Sequence, residues 1–349
     1  MSSSSIQTKF AVAAAVIVLP GMLAAQSFKV EKFNIGGEGG TDYLTAEAGT
    51  GRVFVSRGTH VMVIDGPTGK VLGDIPDTPR THGIALDEKS GHGFTTNAGD
   101  STVTMFNLKT LAVIKKIKIP AGGLDGIMFD AADNRVILTN HSRPNGTMTA
   151  LNPESGDIVS QVELEDNGPE GAVADGKGHI FVANEGKSTV QKIDIDAKSM
   201  KTIASYPLAP CEGPTGIAYD KPSDRVIVGC GKTSVVLNGK TGKVVGKITN
   251  GDGVDALGYD ASQKLIYIPS GDEGNVTVAR LEKKDKYTVV ATVPTMKGAK
   301  TIATDPIKHM VYLFQPEYGP APANAPAPTA GRGRARGPMT GTWFFAIHQ

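Results

Sequence analysis

The chain has 349 residues but only one tryptophan, two cysteines, 6% aromatic residues and a formal net charge of +1. Each shortage excludes something. Near-neutrality argues against a dedicated nucleic-acid binder, which carries a basic excess. With only Cys211 and Cys230 present, stability must come from an ordinary buried core, and a chain of this length can supply one without metals or many disulfides. No segment after residue 25 is apolar for long enough to cross a bilayer. Several chemical signatures are also missing: no Gly-x-Ser-x-Gly elbow, no His-Glu-x-x-His pair and no Cys-x-x-Cys-His haem site. Gly231-Lys232-Thr233-Ser234 imitates the end of a phosphate-binding loop. The first glycine of that motif would fall at Val226, and no helical pattern follows. Gly36-Gly37-Glu38-Gly39-Gly40 opens no helix either and reads as a linker.

Residues 1–25 have the pattern of a cleaved secretory signal peptide. Lys9 supplies the positive end, Phe10 to Leu19 is almost wholly apolar, Pro20 and Gly21 break the run, and Leu23-Ala24-Ala25 offers small residues for cleavage. The apolar run is short for a membrane anchor. The expected location is therefore periplasmic or secreted. In such a compartment the two cysteines are either a disulfide or a pair of buried thiols.

Through residues 26–349 helix periodicity gives way to a repeat. Its clearest copy is Thr81-His82-Gly83-Ile84-Ala85-Leu86-Asp87, then Gly93-Phe94-Thr95-Thr96-Asn97, then Ser101 to Asn107, then Ala112-Val113-Ile114. The acid that closes the first strand recurs at Glu47, Asp87, Asp130, Asp175, Asp220, Asp260 and Asp305, at spacings of 40, 43, 45, 45, 40 and 45 residues. Four strands every 40 to 45 residues or so are the mark of propeller blades. The expected fold is all-β, a seven-bladed β-propeller of four-stranded blades. A six-bladed count with one decayed unit is the alternative.

The second strand of each unit ends in the same register, as in Phe181-Val182-Ala183-Asn184, and a third strand follows as Val190-Gln191-Lys192-Ile193-Asp194. Thr-Gly-Lys turns come next, at Thr68-Gly69-Lys70 and Thr241-Gly242-Lys243. In these features the chain resembles the YVTN-type (YncE-like) β-propeller repeat family, named for a Tyr-Val-Thr-Asn second strand paired with a Val-x-Val-Ile-Asp third strand. The resemblance spans residues 27 to 349 and implies the propeller fold. Its shared residues are strand and turn residues, so it implies little about ligand or reaction.

The last unit lacks a fourth strand, and Phe28 to Ile35 precedes the first unit as an unassigned one. Pairing of the two would close the ring and leave no open edge, a monomer being the expected state. Residues 316–340, rich in Pro, Ala, Gly and Arg, read as a flexible loop inside the last blade. That loop is either a solvated insertion or a basic arm that touches an anionic partner.

Register converts the repeat into a site. The residue ahead of each first-strand core reads Asp42, His82, Asp125, Glu170, Thr215, Asp255 and Lys300 around one mouth of the channel. The last residue of each second strand gives an outer ring: Arg57, Asn97, Asn140, Asn184, Cys230, Ser270 and Gln315, with His141 and Glu185 directly following two of them. Four carboxylates held close would repel unless shared protons, a cation or Lys300 compensate. Asp125, Glu170, Asp255 and His82 are the candidate metal ligands, and a divalent cation is the candidate cofactor. The same register sets Thr215 opposite Cys230, with Cys211 one short loop away, so a disulfide is expected at that mouth.

Three functions remain open at this point. The first is a binding module for a small polar ligand, a cation or a partner segment. The second is a metal-dependent lactonase-like hydrolase or lyase using Glu170, Asn140, Asn184, Asp125 and Asp255. The third is an envelope interaction scaffold. A hydrated polar channel with no stoichiometric ligand is the plainer outcome.

Overall fold

A computed structural model describes residues 27–283, 285–322 and 336–349. The expected signal segment, and residues 323–335 of the expected loop, lie outside the described residues. Seven four-stranded antiparallel sheets are present, and no helix occurs among the described residues. Six sheets take their strands in chain order. Their innermost strands neighbour one another in sequence around an axis, and the strand Leu44–Ala46 of blade one closes the ring against Ala303–Asp305 of blade seven. The fold is a seven-bladed β-propeller.

The seventh blade is composite. Its outer strand is Lys29–Asn34, which runs antiparallel to Met339–His348 from Lys29 opposite His348 to Asn34 opposite Trp343. The two ends of the described chain are thus tied into one sheet. A closed ring leaves no blade with a bare inner edge, which removes a route to edge-to-edge association.

The core lies between blades rather than within one. Seven buried apolar clusters each draw on two neighbouring blades. Phe54 of blade one meets Phe106 of blade two with ring centroids 5.9 Å apart. Phe181 of blade four stacks on Tyr219 of blade five at 6.0 Å. Alternation along the strands produces these interfaces, since residues two apart share a face and each sheet has a neighbour on both faces.

The recurring acids close the hairpins at the end opposite the mouth. Asp87 accepts from the backbone N–H groups of Lys89 and Ser90, Asp175 from Lys177 and His179, and Asp305 from Ile307 and Lys308. A short carboxylate that caps its own turn explains why an acid recurs there.

Two features depart from expectation. The strand Met310–Tyr318 passes straight through Pro316, which pairs with Thr342, and the next strand starts at Met339. Regular pairing therefore reaches into both ends of the segment 316–340. The innermost strand of this blade pairs only as far as Tyr312, so Pro316 sits where one side of the ladder is already vacant and its missing N–H costs little. The glycine-rich linker is also more than a spacer. It wraps Arg57, whose Nη1 donates to the Gly36 carbonyl at 3.1 Å and whose Nη2 donates to that of Gly39 at 3.4 Å. At Gly39 φ is +96°, and a Cβ would lie 1.8 Å from the Arg57 carbonyl oxygen, so only glycine fits.

Cys211 and Cys230 are joined in a disulfide, with Cα atoms 5.6 Å apart and a sequence separation of 19. Both are buried. Closing a loop of that length should stabilise the fold by about 3 kcal/mol. A Cys211→Ala/Cys230→Ala variant is expected to unfold at correspondingly lower urea, and a midpoint equal to that of the wild type would show the bridge to be energetically idle.

Candidate functional site

The mouth residues converge because the inner strands are pressed together. In blades two to five a glycine follows the mouth residue: His82-Gly83, Asp125-Gly126, Glu170-Gly171 and Thr215-Gly216. A Cβ at Gly126 would sit 2.9 Å from the Glu170 carbonyl oxygen, at Gly171 2.8 Å from that of Thr215, and at Gly216 2.4 Å from the Ala256 carbonyl carbon. Side chains at these positions would push the blades apart. In blades two to four the pairing register also shifts across this dipeptide, between Thr81 and Ile84, Leu124 and Ile127, and Pro169 and Ala172. Such a bulge re-aims the side chain that it carries, and here it delivers His82, Asp125 and Glu170 to the mouth.

Hydrogen bonds then lock each blade to the next around the axis. Thr45 Oγ1 donates to the Ile84 carbonyl at 2.6 Å, Thr139 Oγ1 to that of Glu170 at 3.0 Å, Thr215 Oγ1 to that of Val254 at 3.0 Å, and Thr301 Oγ1 to that of Asp42 at 2.6 Å. Thr96 Oγ1 bonds the Asp125 carbonyl in the same way. Backbone N–H groups complete the ring, from Gly171 to the Thr215 carbonyl and from Asp255 to that of Lys300.

The result is a cavity of about 280 Å³ lined by Asp42, Tyr43, His82, Asp125, His141, Glu170, Asp255 and Lys300, with Arg80 on its rim. One wall is a continuous run of alternating charge. His82 Nδ1 touches an Asp42 carboxylate oxygen and lies 3.0 Å from Asp125 Oδ1. His141 Nε2 lies 3.1 Å from Asp125 Oδ2 and 3.3 Å from Glu170 Oε1. The Tyr43 hydroxyl donates to Glu170 Oε2 at 3.1 Å. The other wall is the ion pair of Lys300 Nζ with Asp255 Oδ2, at 2.7 Å.

The histidine contacts are close but not aligned. His82 Nδ1, His82 Nε2 and His141 Nε2 are buried without a hydrogen-bond partner among the described residues. Two triads follow from this packing, Asp42–His82–Asp125 and Asp125–His141–Glu170. In each, the nitrogen and oxygen donor atoms lie within 4.8 Å of one another.

Electrostatics match the geometry. Burial pulls the His82 imidazole down, but Asp125 and Asp42 beside it win and hold its pKa at about 9. Asp125 and Glu170 push His141 up to about 10 against burial. Burial raises Glu170 to about 7, with Asp125 adding and His141 opposing. Asp125 is buried too, yet the two histidines keep its carboxyl well below the usual range. Burial raises Asp255 despite Lys300, and it raises the Tyr43 phenol well above its ordinary value, with Asp125 and Glu170 adding.

Several sequence candidates do not reach this cavity. Thr215 is buried, and its hydroxyl is spent on the Val254 carbonyl. Asn97 donates to Thr102 and Thr104, Asn184 donates to Thr189 and Gln191, and Thr147 donates to Asn140. These asparagines tie their own hairpins, because the last residue of a second strand turns toward the adjacent strand rather than the axis. Glu185 is exposed on the loop beyond. Arg57 is fully buried beside Phe314, its guanidinium carbon 4.6 Å from the ring centroid, and burial pulls its pKa down to about 10. Of the four proposed metal ligands, Asp255 stands apart with Lys300. The hydrolase set is not assembled, since it needs Asn140 and Asn184.

Tyr43 is the residue that register alone did not single out. It occupies the position held by glycine in blades two to five and lines both the mouth cavity and a second channel cavity of about 140 Å³. A tyrosine where the repeat calls for glycine was the available signal. Arg80, two residues ahead of His82, carried none.

Both histidines have folded pKa values above the ordinary value of about 6.5. Their contribution to stability is therefore complete below that pH and is lost as pH rises through about 9 to 10. Glu170 acts in the same direction at lower pH, because the folded state holds its proton up to about 7. With chelator present, the melting temperature should decline from about pH 5 to pH 10. In His82→Gln/His141→Gln the part above about pH 6.5 should flatten. A double variant whose profile runs parallel to the wild type would contradict this assignment.

No family profile matches the chain, and no curated protein matches it by sequence. Solved structures do. A chain of hydrazine synthase from Kuenenia stuttgartiensis is 15% identical with a TM-score of 0.69, covering 84% of this chain and 95% of that one. The RRP9 WD40 repeats are 9% identical with a TM-score of 0.73, covering 91% and 97%. A chain of a mitotic checkpoint complex is 12% identical with a TM-score of 0.70, covering 88% and 95%. At such identities the likeness is one of architecture, and the chain takes its place among β-propellers by fold.

Proposed function

We propose that this protein is an exported binding module that holds a small polar ligand in the mouth of its propeller. The observation that carries the reading is the convergence of charged side chains from six of the seven blades on one cavity of about 280 Å³. A cavity of that size suits a ligand of a few to a dozen heavy atoms. Its polar groups are fixed by the blade-to-blade hydrogen bonds, so little ordering is needed on binding. Export is supported by the pattern of residues 1–25 and by the Cys211–Cys230 disulfide, which persists in an oxidising compartment. The YVTN-like reading of the repeat rests on the second and third strands, such as Phe181 to Asn184 with Val190 to Asp194.

Ala98 lines the cavity without contributing a charge. Ala98→Trp should therefore fill the mouth and leave every polar group in place. Native mass spectrometry after equilibration with a mixture of amino acids, hydroxy acids and sugars should show a species retained by the wild type and lost from Ala98→Trp. Equal retention by both proteins, or none by the wild type, would rule out the mouth as the ligand site.

A further inference from the structure

The donor atoms of the mouth fall into two groups that meet at one residue. Asp125 Oδ1 faces His82, and Asp125 Oδ2 faces His141. Each histidine has one further carboxylate beside it, Asp42 for His82 and Glu170 for His141. Each half therefore offers one imidazole nitrogen, one terminal carboxylate oxygen and one oxygen of a shared carboxylate. Within each half the donors lie within 4.8 Å of one another, and the nitrogen–oxygen contacts of 3.0–3.3 Å match the separation of neighbouring ligands on an ion with bonds of about 2.0–2.2 Å.

A second observation concerns the histidine nitrogens themselves. Three histidine ring nitrogens in this wall, two on His82 and one on His141, are buried without an aligned hydrogen-bond partner, although carboxylate oxygens lie within about 3 Å of His82 Nδ1 and His141 Nε2. Polar atoms buried in this way are costly unless something else satisfies them. An imidazole set between two carboxylates is an ion pair while it keeps its proton, and the same nitrogen and oxygen atoms become ligands of a common ion when a metal displaces that proton.

We propose that the mouth holds two divalent transition-metal ions bridged by the carboxylate of Asp125, one ligated by Asp42 and His82 and the other by His141 and Glu170. Mixed imidazole and carboxylate donors favour ions of the manganese-to-zinc series over calcium or magnesium, which take oxygen alone. Three protein donors per ion leave positions open, and those positions face the cavity. Tyr43, bonded to Glu170, orients the terminal carboxylate of the second ion from outside the ligand set. The inference rests on the mouth being the ligand-binding site, and it names what anchors the ligand there.

The test is cobalt binding to the mature protein after chelation, followed by visible absorption and by metal content after desalting. Two Co²⁺ per chain are expected in the wild type, with Ca²⁺ failing to compete at equal concentration. His82→Ala and His141→Ala should each retain one, and Asp125→Ala should lose at least tenfold in affinity at both positions. Melting curves and gel filtration establish that each variant is folded. Where one is not, the conservative His82→Gln or His141→Gln replaces it, and the wild-type stoichiometry stands as a test by itself. No cobalt in the folded wild type, a single ion lost wholly in either histidine variant, or Ca²⁺ binding as well as Co²⁺ would overturn the proposal. Retention of an organic ligand by the chelated wild type but not by Ala98→Trp would show the mouth to be a binding site even if the metals fail. Cobalt bound in pairs with no organic ligand retained would show the converse.

Discussion

The inner strands of this propeller approach one another closely enough for carbonyl oxygens of one blade to sit where the next blade's Cβ would be. Much else depends on that approach. It is permitted by the glycine at the second position of the inner strand in blades two to five, and it is held by threonine hydroxyls and backbone N–H groups that bond each blade to its neighbour. Because the ring closes, each such bond tightens all the others. The mouth is consequently narrow, and charged residues that would be comfortable on a wider rim are forced into contact.

That compression explains the chemistry. Asp42, Asp125 and Glu170 cannot all be charged at short range in a half-dry cavity without compensation. His82 and His141 supply it, each wedged between two carboxylates, while Lys300 does the same for Asp255. Tyr43 adds a neutral donor to Glu170. The wall is thus a set of groups whose charges are mutually conditional. Such a set responds strongly to whatever enters, whether a proton, an ion or a polar molecule.

Other polar residues near the mouth are engaged in contacts within the fold. Arg57 is consumed by the linker that brings the first strand round to the last blade. Asn97, Asn140 and Asn184 stitch their hairpins, and Thr215 joins blade five to blade six. The disulfide adds a covalent tie in blade five, whose second strand ends early at Val228 and leaves Cys230 outside the ladder.

The number of blades, the four-strand unit, the composite last blade and the placing of six of the seven inner-ring residues at the mouth were legible in the amino-acid order. The reason is physical: every unit must solve the same packing problem, so turn acids, glycines and alternating apolar residues recur at a fixed period. The outer ring was misread because period fixes where a residue lies along a strand but not which way a strand end turns, and the three asparagines turn inward to their own hairpins. Tyr43 showed only as a break in the glycine pattern, and the pairing of particular histidines with particular carboxylates had no periodic signature at all. Those contacts join residues as far apart as 127 positions, and only closure of seven blades about one axis brings them within reach. The sequence by itself therefore determined the ring and most of the charged residues that face its mouth. Which of them touch, and in what order around the cavity, was decided by the tertiary structure, because the spacing across the axis depends on how all the blades pack at once.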